Sequence, residues 1–212
     1  MTTRIKVCGV TLPDDAARVG SSGVDFVGLN FWPRSKRYVN PDRAPMLASV
    51  IRSTGAAKIV GVFVNPELEE IQAITNKVDL DIIQLHGDED PEFVKKVSLG
   101  VYRPVWKAIA VKSPKDIAHL DVWGAEAILL DAPTPGRGGA GATFDWQLAR
   151  EARERFPRLT IVLAGGLTPE NVGAAIQQVQ PYAVDVASGV ETAPGIKDPD
   201  KLAAFIGAAR LG

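Results

Sequence analysis

Short apolar stretches alternate with amphipathic ones along the whole chain. The apolar stretches fall at 5–8, 26–30, 58–64, 82–85, 104–110, 127–131, 159–164 and 183–187. Three contain unbroken runs: Ile59-Val60-Gly61-Val62-Phe63-Val64, Ala127-Ile128-Leu129-Leu130 and Ile161-Val162-Leu163-Ala164. Unbroken runs suit parallel strands covered on both faces, whereas a half-exposed strand would alternate. Pro104 can only open its strand, because it gives no ladder donor. Between the strands, 14–19, 67–78, 92–97, 147–155, 170–179 and 201–209 read as helices. In 67–78, Leu68, Ile71, Ile74 and Val78 recur at three- and four-residue steps and make one apolar face.

The punctuation agrees with that alternation. Asn40-Pro41, Asn65-Pro66, Asp90-Pro91, Ser113-Pro114, Thr168-Pro169 and Asp198-Pro199 each place a capping side chain before a proline. Such a pair suits a helix start, since proline at the first helical position has no amide hydrogen to lose. Thr11-Leu12-Pro13 is a looser form, and Thr143-Phe144-Asp145-Trp146 supplies a start without proline. Eight strands and eight helix starts fit either a doubly wound open sheet or a closed (βα)8 barrel. The unit count of eight and the lack of a linker favour the barrel, as a single domain over 1–212.

Composition narrows the class. Net charge is −1, from 24 basic and 25 acidic residues with no long run of either sign. That balance argues against a nucleic-acid or membrane surface as the main partner, but not against a small anionic ligand. A single cysteine cannot form an internal disulfide, and Met1-Thr2-Thr3-Arg4 lacks the apolar core of a signal peptide. The expectation is a cytoplasmic protein, monomer or homodimer. No second cysteine and no clustered histidine or acid spacing suggests a metal site.

In a parallel barrel the carboxyl ends of all strands share one face, where sites are built. The residues at those ends are Cys8, Asn30, Gln84 with His86, Asp131, Gly165-Gly166 and Ser188-Gly189, polar or small where the strand interiors are apolar. Asp131 opens the glycine-rich loop over 132–143 and reads either as a loop-organising carboxylate or as an acid–base group under a lid. The glycines after strands seven and eight allow backbone N–H groups to approach a phosphate. Phe31-Trp32-Pro33-Arg34-Ser35-Lys36-Arg37-Tyr38 combines aromatic surface with three cations, suited to a planar carboxylated ligand. Asp185, inside strand eight, must be paired or functional. His86 reads as an acid–base group or as a structural histidine. Cys8 on its own reads as a small buried hydrophobe. A thiol of ordinary pKa, about 8.5, becomes a useful base once a helix N-terminus and nearby arginines lower it, and both are expected here.

The motifs together resemble one family. Lys6-Val7-Cys8-Gly9-Val10-Thr11 is similar to the opening motif of the phosphoribosylanthranilate isomerases. The resemblance continues through Ser35-Lys36-Arg37-Tyr38, Gly61-Val62-Phe63-Val64-Asn65, Gln84-Leu85-His86-Gly87 and Leu129-Leu130-Asp131. It resumes in the segment 138–146, Ala164-Gly165-Gly166-Leu167, and Asp185-Val186-Ala187-Ser188-Gly189-Val190-Glu191 with Pro194-Gly195. It implies a single-domain (βα)8 barrel of tryptophan biosynthesis that needs no metal or organic cofactor. The implied reaction is an Amadori rearrangement of N-(5′-phosphoribosyl)anthranilate to 1-(2-carboxyphenylamino)-1-deoxyribulose 5-phosphate. By the same resemblance Cys8 is the general base and Asp131 the general acid. Arg37 meets the substrate carboxylate, and Gly165, Gly166, Ser188 and Gly189 grip the phosphate. Val7 and Val10 stand where isoleucine is common, Ala187 where serine is common, and Ala142 where lysine is common.

Two other readings stay open at this point. The histidine-pathway isomerase performs the same rearrangement on a two-aspartate site, and Cys8 in the first position argues against it. A non-enzymatic barrel would bind a phosphorylated ligand and use Cys8 as a thiol sensor.

Overall fold

The computed structural model describes residues 2–133 and 145–212. Eight parallel strands close on themselves: β1 (Arg4–Cys8), β2 (Phe26–Asn30), β3 (Lys58–Phe63), β4 (Ile82–Leu85), β5 (Val105–Ala110), β6 (Ala127–Asp131), β7 (Ile161–Leu163) and β8 (Ala183–Val186). The closing pair is β1 with β8, in the register Arg4 to Ala183, Lys6 to Asp185 and Val7 to Val186. The order is sequential all round, so the barrel is confirmed over the open sheet.

Alternate strand residues face opposite ways, and both directions are covered. Phe26, Val60, Val62, Ile82, Trp106, Ala108, Leu129 and Val162 fill the barrel interior, with Cys8 packed on them. Phe26 and Trp106 meet edge to face at 4.9 Å. The intervening residues, among them Ile5, Val7, Val27, Leu29, Ile59 and Ile83, pack outward against the helices. This is why the strands read as unbroken apolar runs.

The helices around the barrel are α1 (Pro13–Ser21), α2 (Ala44–Thr54), α3 (Leu68–Lys77), α4 (Pro91–Val101), α5 (Trp146–Arg155), α6 (Val172–Val179) and α7 (Pro199–Leu211). Asp90, Asp145 and Asp198 cap their helices as expected. The starts expected at Asn40-Pro41, Asn65-Pro66 and Thr168-Pro169 fall earlier than the helices that follow. Each of those asparagines or threonines sits in a turn: Asn40 Oδ1 accepts from the Asp42 amide, and Asn65 Oδ1 from the Asp88 amide. The expected fifth helix is replaced by two 3₁₀ turns, Pro114–Ile117 and Leu120–Trp123. Ile117, Leu120 and Trp123 recur every three residues, which suits three residues per turn.

After β8 the chain makes a 3₁₀ turn, Ser188–Val190, and a small hairpin of β9 (Glu191–Ala193) and β10 (Ile196–Lys197). This hairpin reaches back to the end of β1: Lys197 Nζ donates to the Cys8 carbonyl at 2.6 Å, and Thr11 Oγ1 donates to the Gly195 carbonyl at 2.7 Å. No described helix is long and apolar enough to cross a membrane.

Candidate active site

A cavity of about 470 Å³ opens at the carboxyl ends of the strands. Cys8, Asn30, Arg37, Gln84, His86, Asp131, Gly165, Gly166, Asp185 and Ser188 line it. The residues singled out at the strand ends therefore converge on one mouth, with one exception. Gly189 does not line it; a side chain there would run into the Leu167 carbonyl, so this glycine lets the loops after β7 and β8 touch.

Asp131 is buried at the end of β6. Its Oδ1 accepts from the Ala132 amide at 2.8 Å, and its Oδ2 lies 3.1 Å from His86 Nε2. His86 Nδ1 lies 3.0 Å from Gln84 Nε2. With the Gln84 amide donating, the imidazole proton sits on Nε2 and points at the carboxylate. Gln84 Oε1 is buried and has no partner among the described residues. Rotation of that amide would present its oxygen to Nδ1 and move the imidazole proton there, so that Nε2 accepts from a protonated Asp131 instead. Gly165, at φ 82°, lies against this group: a side chain on it would strike the Ala132 amide nitrogen at 2.4 Å and Asp131 Oδ1 at 3.0 Å. The glycine-rich loop expected to close over Asp131 lies, over 134–144, outside the described residues.

Across the cavity, Cys8 is packed against Gly28, where a side chain would meet its Sγ at 2.6 Å. Below it on β1 is Lys6, fully buried, whose Nζ donates to both Asp185 oxygens at 3.0 Å. Asp185 is thus paired, inside the barrel. The thiol does not follow the expected direction. Burial pushes it up, Lys6 pulls it down, Asp185 pushes it up again and Lys197 pulls it down, with a net rise. The expected lowering fails because the partly buried thiol is poorly hydrated against the barrel interior and a carboxylate shares its cation.

Arg37 reaches the cavity from the loop after β2. Its Nε donates to Glu191 Oε1 at 2.9 Å and its Nη2 to Oε2 at 2.6 Å. Glu191 also accepts from Lys197 Nζ at 2.7 Å. Burial raises the Glu191 carboxyl, but Arg37 and Lys197 outweigh it and hold the group below the usual glutamate range. Trp32, Arg34 and Lys36 line the same side of the cavity. Phe31 and Tyr38 do not: Phe31 is buried and stacked on Phe63 at 5.3 Å and Tyr38 lies outside the lining, so of the loop's three rings only Trp32 faces the cavity. Asn30 organises the loop, accepting from the Trp32 amide at 2.9 Å.

Lys6, Glu191 and Lys197 were not singled out in the sequence as site residues. Lys6 carried a signal, a charge in the middle of an apolar strand two residues from Cys8. Glu191 and Lys197 carried none beyond proximity to the last glycine loop.

A closed parallel barrel that gathers a thiol, a carboxyl, an imidazole and several cations around one mouth defines a (βα)8-barrel enzyme. The model of the N-(5′-phosphoribosyl)anthranilate (PRA) isomerase family matches residues 5–208. An N-(5′-phosphoribosyl)anthranilate isomerase of Thermotoga maritima is 44% identical over 203 residues, 96% of either chain. The crystal structure of phosphoribosyl anthranilate isomerase from Thermotoga maritima superposes with a TM-score of 0.89 at 43% identity, covering 98% of each chain. A phosphoribosyl anthranilate isomerase in complex with reduced 1-(o-carboxyphenylamino)-1-deoxyribulose 5-phosphate superposes with a TM-score of 0.86 at 40% identity, again over 98% of each. The chain belongs to the PRA isomerase family, and it is an isomerase.

Proposed function

We propose that the chain, acting over 1–212 as one catalytic domain in the cytoplasm, converts N-(5′-phosphoribosyl)anthranilate to 1-(2-carboxyphenylamino)-1-deoxyribulose 5-phosphate in tryptophan biosynthesis. Cys8 is the general base and Asp131 the general acid. The observation that carries the reading is the placement of these two groups on β1 and β6, lining one cavity. Asp131, protonated, gives its proton to the furanose ring oxygen as the C1′–O bond breaks. The anthranilate nitrogen supplies the electron pair, leaving an iminium at C1′. That cation acidifies the C2′ proton, which the Cys8 thiolate removes to give the enolamine. Tautomerisation then gives the ketose. Gln84 and His86 support Asp131, since the imidazole can donate to the carboxylate or accept from the acid.

The ends of the substrate are held apart from the chemistry. Arg37 meets the anthranilate carboxylate with the edge of its fork that Glu191 leaves open. The backbone N–H groups of Gly165, Gly166 and Ser188 take the phosphate, with Gly189 letting their two loops meet; Gly165 and Gly166 both have positive φ, 82° and 64°. Fixing both ends converts the proton transfers to intramolecular ones.

The test follows the fluorescence loss of phosphoribosylanthranilate with purified protein. Cys8→Ala and Asp131→Ala are each expected to lower kcat by at least about a thousandfold. Both are expected to keep the far-ultraviolet dichroism of the fold and to bind a reduced product analogue. Full turnover in either variant would remove that residue from the mechanism.

A further inference from the structure

The reading above needs Cys8 to lose a proton, and the structure surrounds that thiol in an unexpected way. Lys6 and Cys8 are two residues apart on β1, so both face into the barrel. The β1–β8 register sets Lys6 opposite Asp185, and the ammonium donates to both carboxylate oxygens. On that shared face the ammonium is also near enough to the sulfur for its charge to favour the thiolate. Lys6 is fully buried, so water does not screen its charge there.

We propose that Lys6 and Asp185 are positioning residues that set how readily Cys8 gives up its proton, one buried ammonium being shared between the carboxylate and the sulfur. This rests on the assignment of Cys8 as the base. Burial raises the thiol most, and Asp185, holding the ammonium through two hydrogen bonds, adds to the rise and leaves the resting thiol protonated. The arrangement suits a carbon acid. A thiolate that forms reluctantly is a stronger base once formed. The iminium of the bound substrate then supplies the positive charge that the resting site withholds.

The other charged groups around the pair are accounted for. Lys197 and Arg37 face the sulfur from the β10 hairpin and from the loop after β2, and both are engaged by Glu191. Asp131 and His86 face Asp185 from β6 and from the end of β4, one pushing its carboxyl up and the other pulling it down.

Cys8 is the only cysteine, so alkylation by iodoacetamide reads one thiol. The experiment measures the alkylation rate of the full chain against pH. Asp185→Asn keeps the shape and removes the competing charge; it is expected to move the profile about one unit lower, roughly a tenfold faster reaction at pH 7. Lys6→Gln is expected to slow alkylation about tenfold at pH 8, and Lys6→Arg to restore it. An Asp185→Asn profile that stays in place or moves higher overturns the proposal, as does a Lys6→Gln rate equal to wild type. Should these variants unfold, thiolate absorbance at 240 nm in the wild-type protein still decides. A midpoint above the ordinary thiol value of about 8.5 is expected, and one at or below it overturns the sharing. Alkylation reports ionisation whether or not Cys8 is the base. Failure here would therefore leave the base assignment standing, while a fully active Cys8→Ala protein would remove that assignment alone.

Discussion

Arg37 reaches the cavity because Gly9 has no side chain: a β-carbon there would meet Arg37 Cδ at 2.3 Å, and its φ of 77° favours glycine as well. Glu191 then fixes the direction of the guanidinium. Arg37→Ala is expected to raise KM for the carboxylated substrate by at least about tenfold while lowering kcat less, in steady-state kinetics. Glu191→Gln, which keeps the shape but loosens the fork, should raise KM by a smaller factor. An unchanged KM in both would take Arg37 out of the site. At this scale the sequence was legible wherever a residue's place followed from its position on a strand. Cys8, Gln84, His86 and Asp131 are such residues, since the end of a parallel strand is a place on the molecule. The partners of these groups were not legible. Lys6 meets Asp185 and Arg37 meets Glu191 across most of the chain's length, and nothing local encodes either pairing.

Among the elements, α4 carries the most explicit start signal. Asp90 Oδ1 accepts from the Phe93 amide at 2.7 Å, and Pro91 occupies the first helical position. Asp90→Ala is expected to cost about 1 kcal/mol, measured by urea unfolding, with activity unchanged. The same dipeptide pattern misplaces α3 and α6, for a physical reason. The Asn65 amide is taken by Glu89 Oε1 at 2.8 Å and its backbone turns left-handed at φ 48°, so the helix cannot begin there. Asn171 Oδ1 accepts from the Thr168 amide, making a turn before α6. A capping side chain followed by proline specifies a turn as readily as a helix, and the neighbouring loop decides which forms. The fifth crossover shows the same limit. Ser113-Pro114 reads as an α-helix start, whereas the spacing of three at Ile117, Leu120 and Trp123 suits the 3₁₀ turns that form.

At the scale of the molecule, the eight-unit pattern gave the parallel strands and favoured the closed barrel, but the pairing that closes it was not legible, since an open sheet repeats the same units. Closure is decided by β1 pairing with β8, a contact between the two ends of the chain. The hairpin after β8 adds a second tie, through Lys197, Glu191 and Arg37. Glu191 titrates below its ordinary value in the folded protein. Its contribution is therefore complete above about pH 4.3 and is lost as pH falls through the lower folded value. Thermal unfolding between pH 6 and pH 3 should show wild type losing more of its midpoint temperature than Glu191→Gln; equal losses would mean that the tie contributes nothing. The β1–β8 seam has a further consequence in time. Translation delivers Lys6 and Cys8 long before Asp185, Glu191 and Lys197. Until the ribosome releases the final strand, the lysine is an ordinary solvated side chain and the cysteine an ordinary reactive one. The cysteine of the growing chain is thus without its charged neighbours until residues 185–197 have been made, and its reactivity is set late in synthesis.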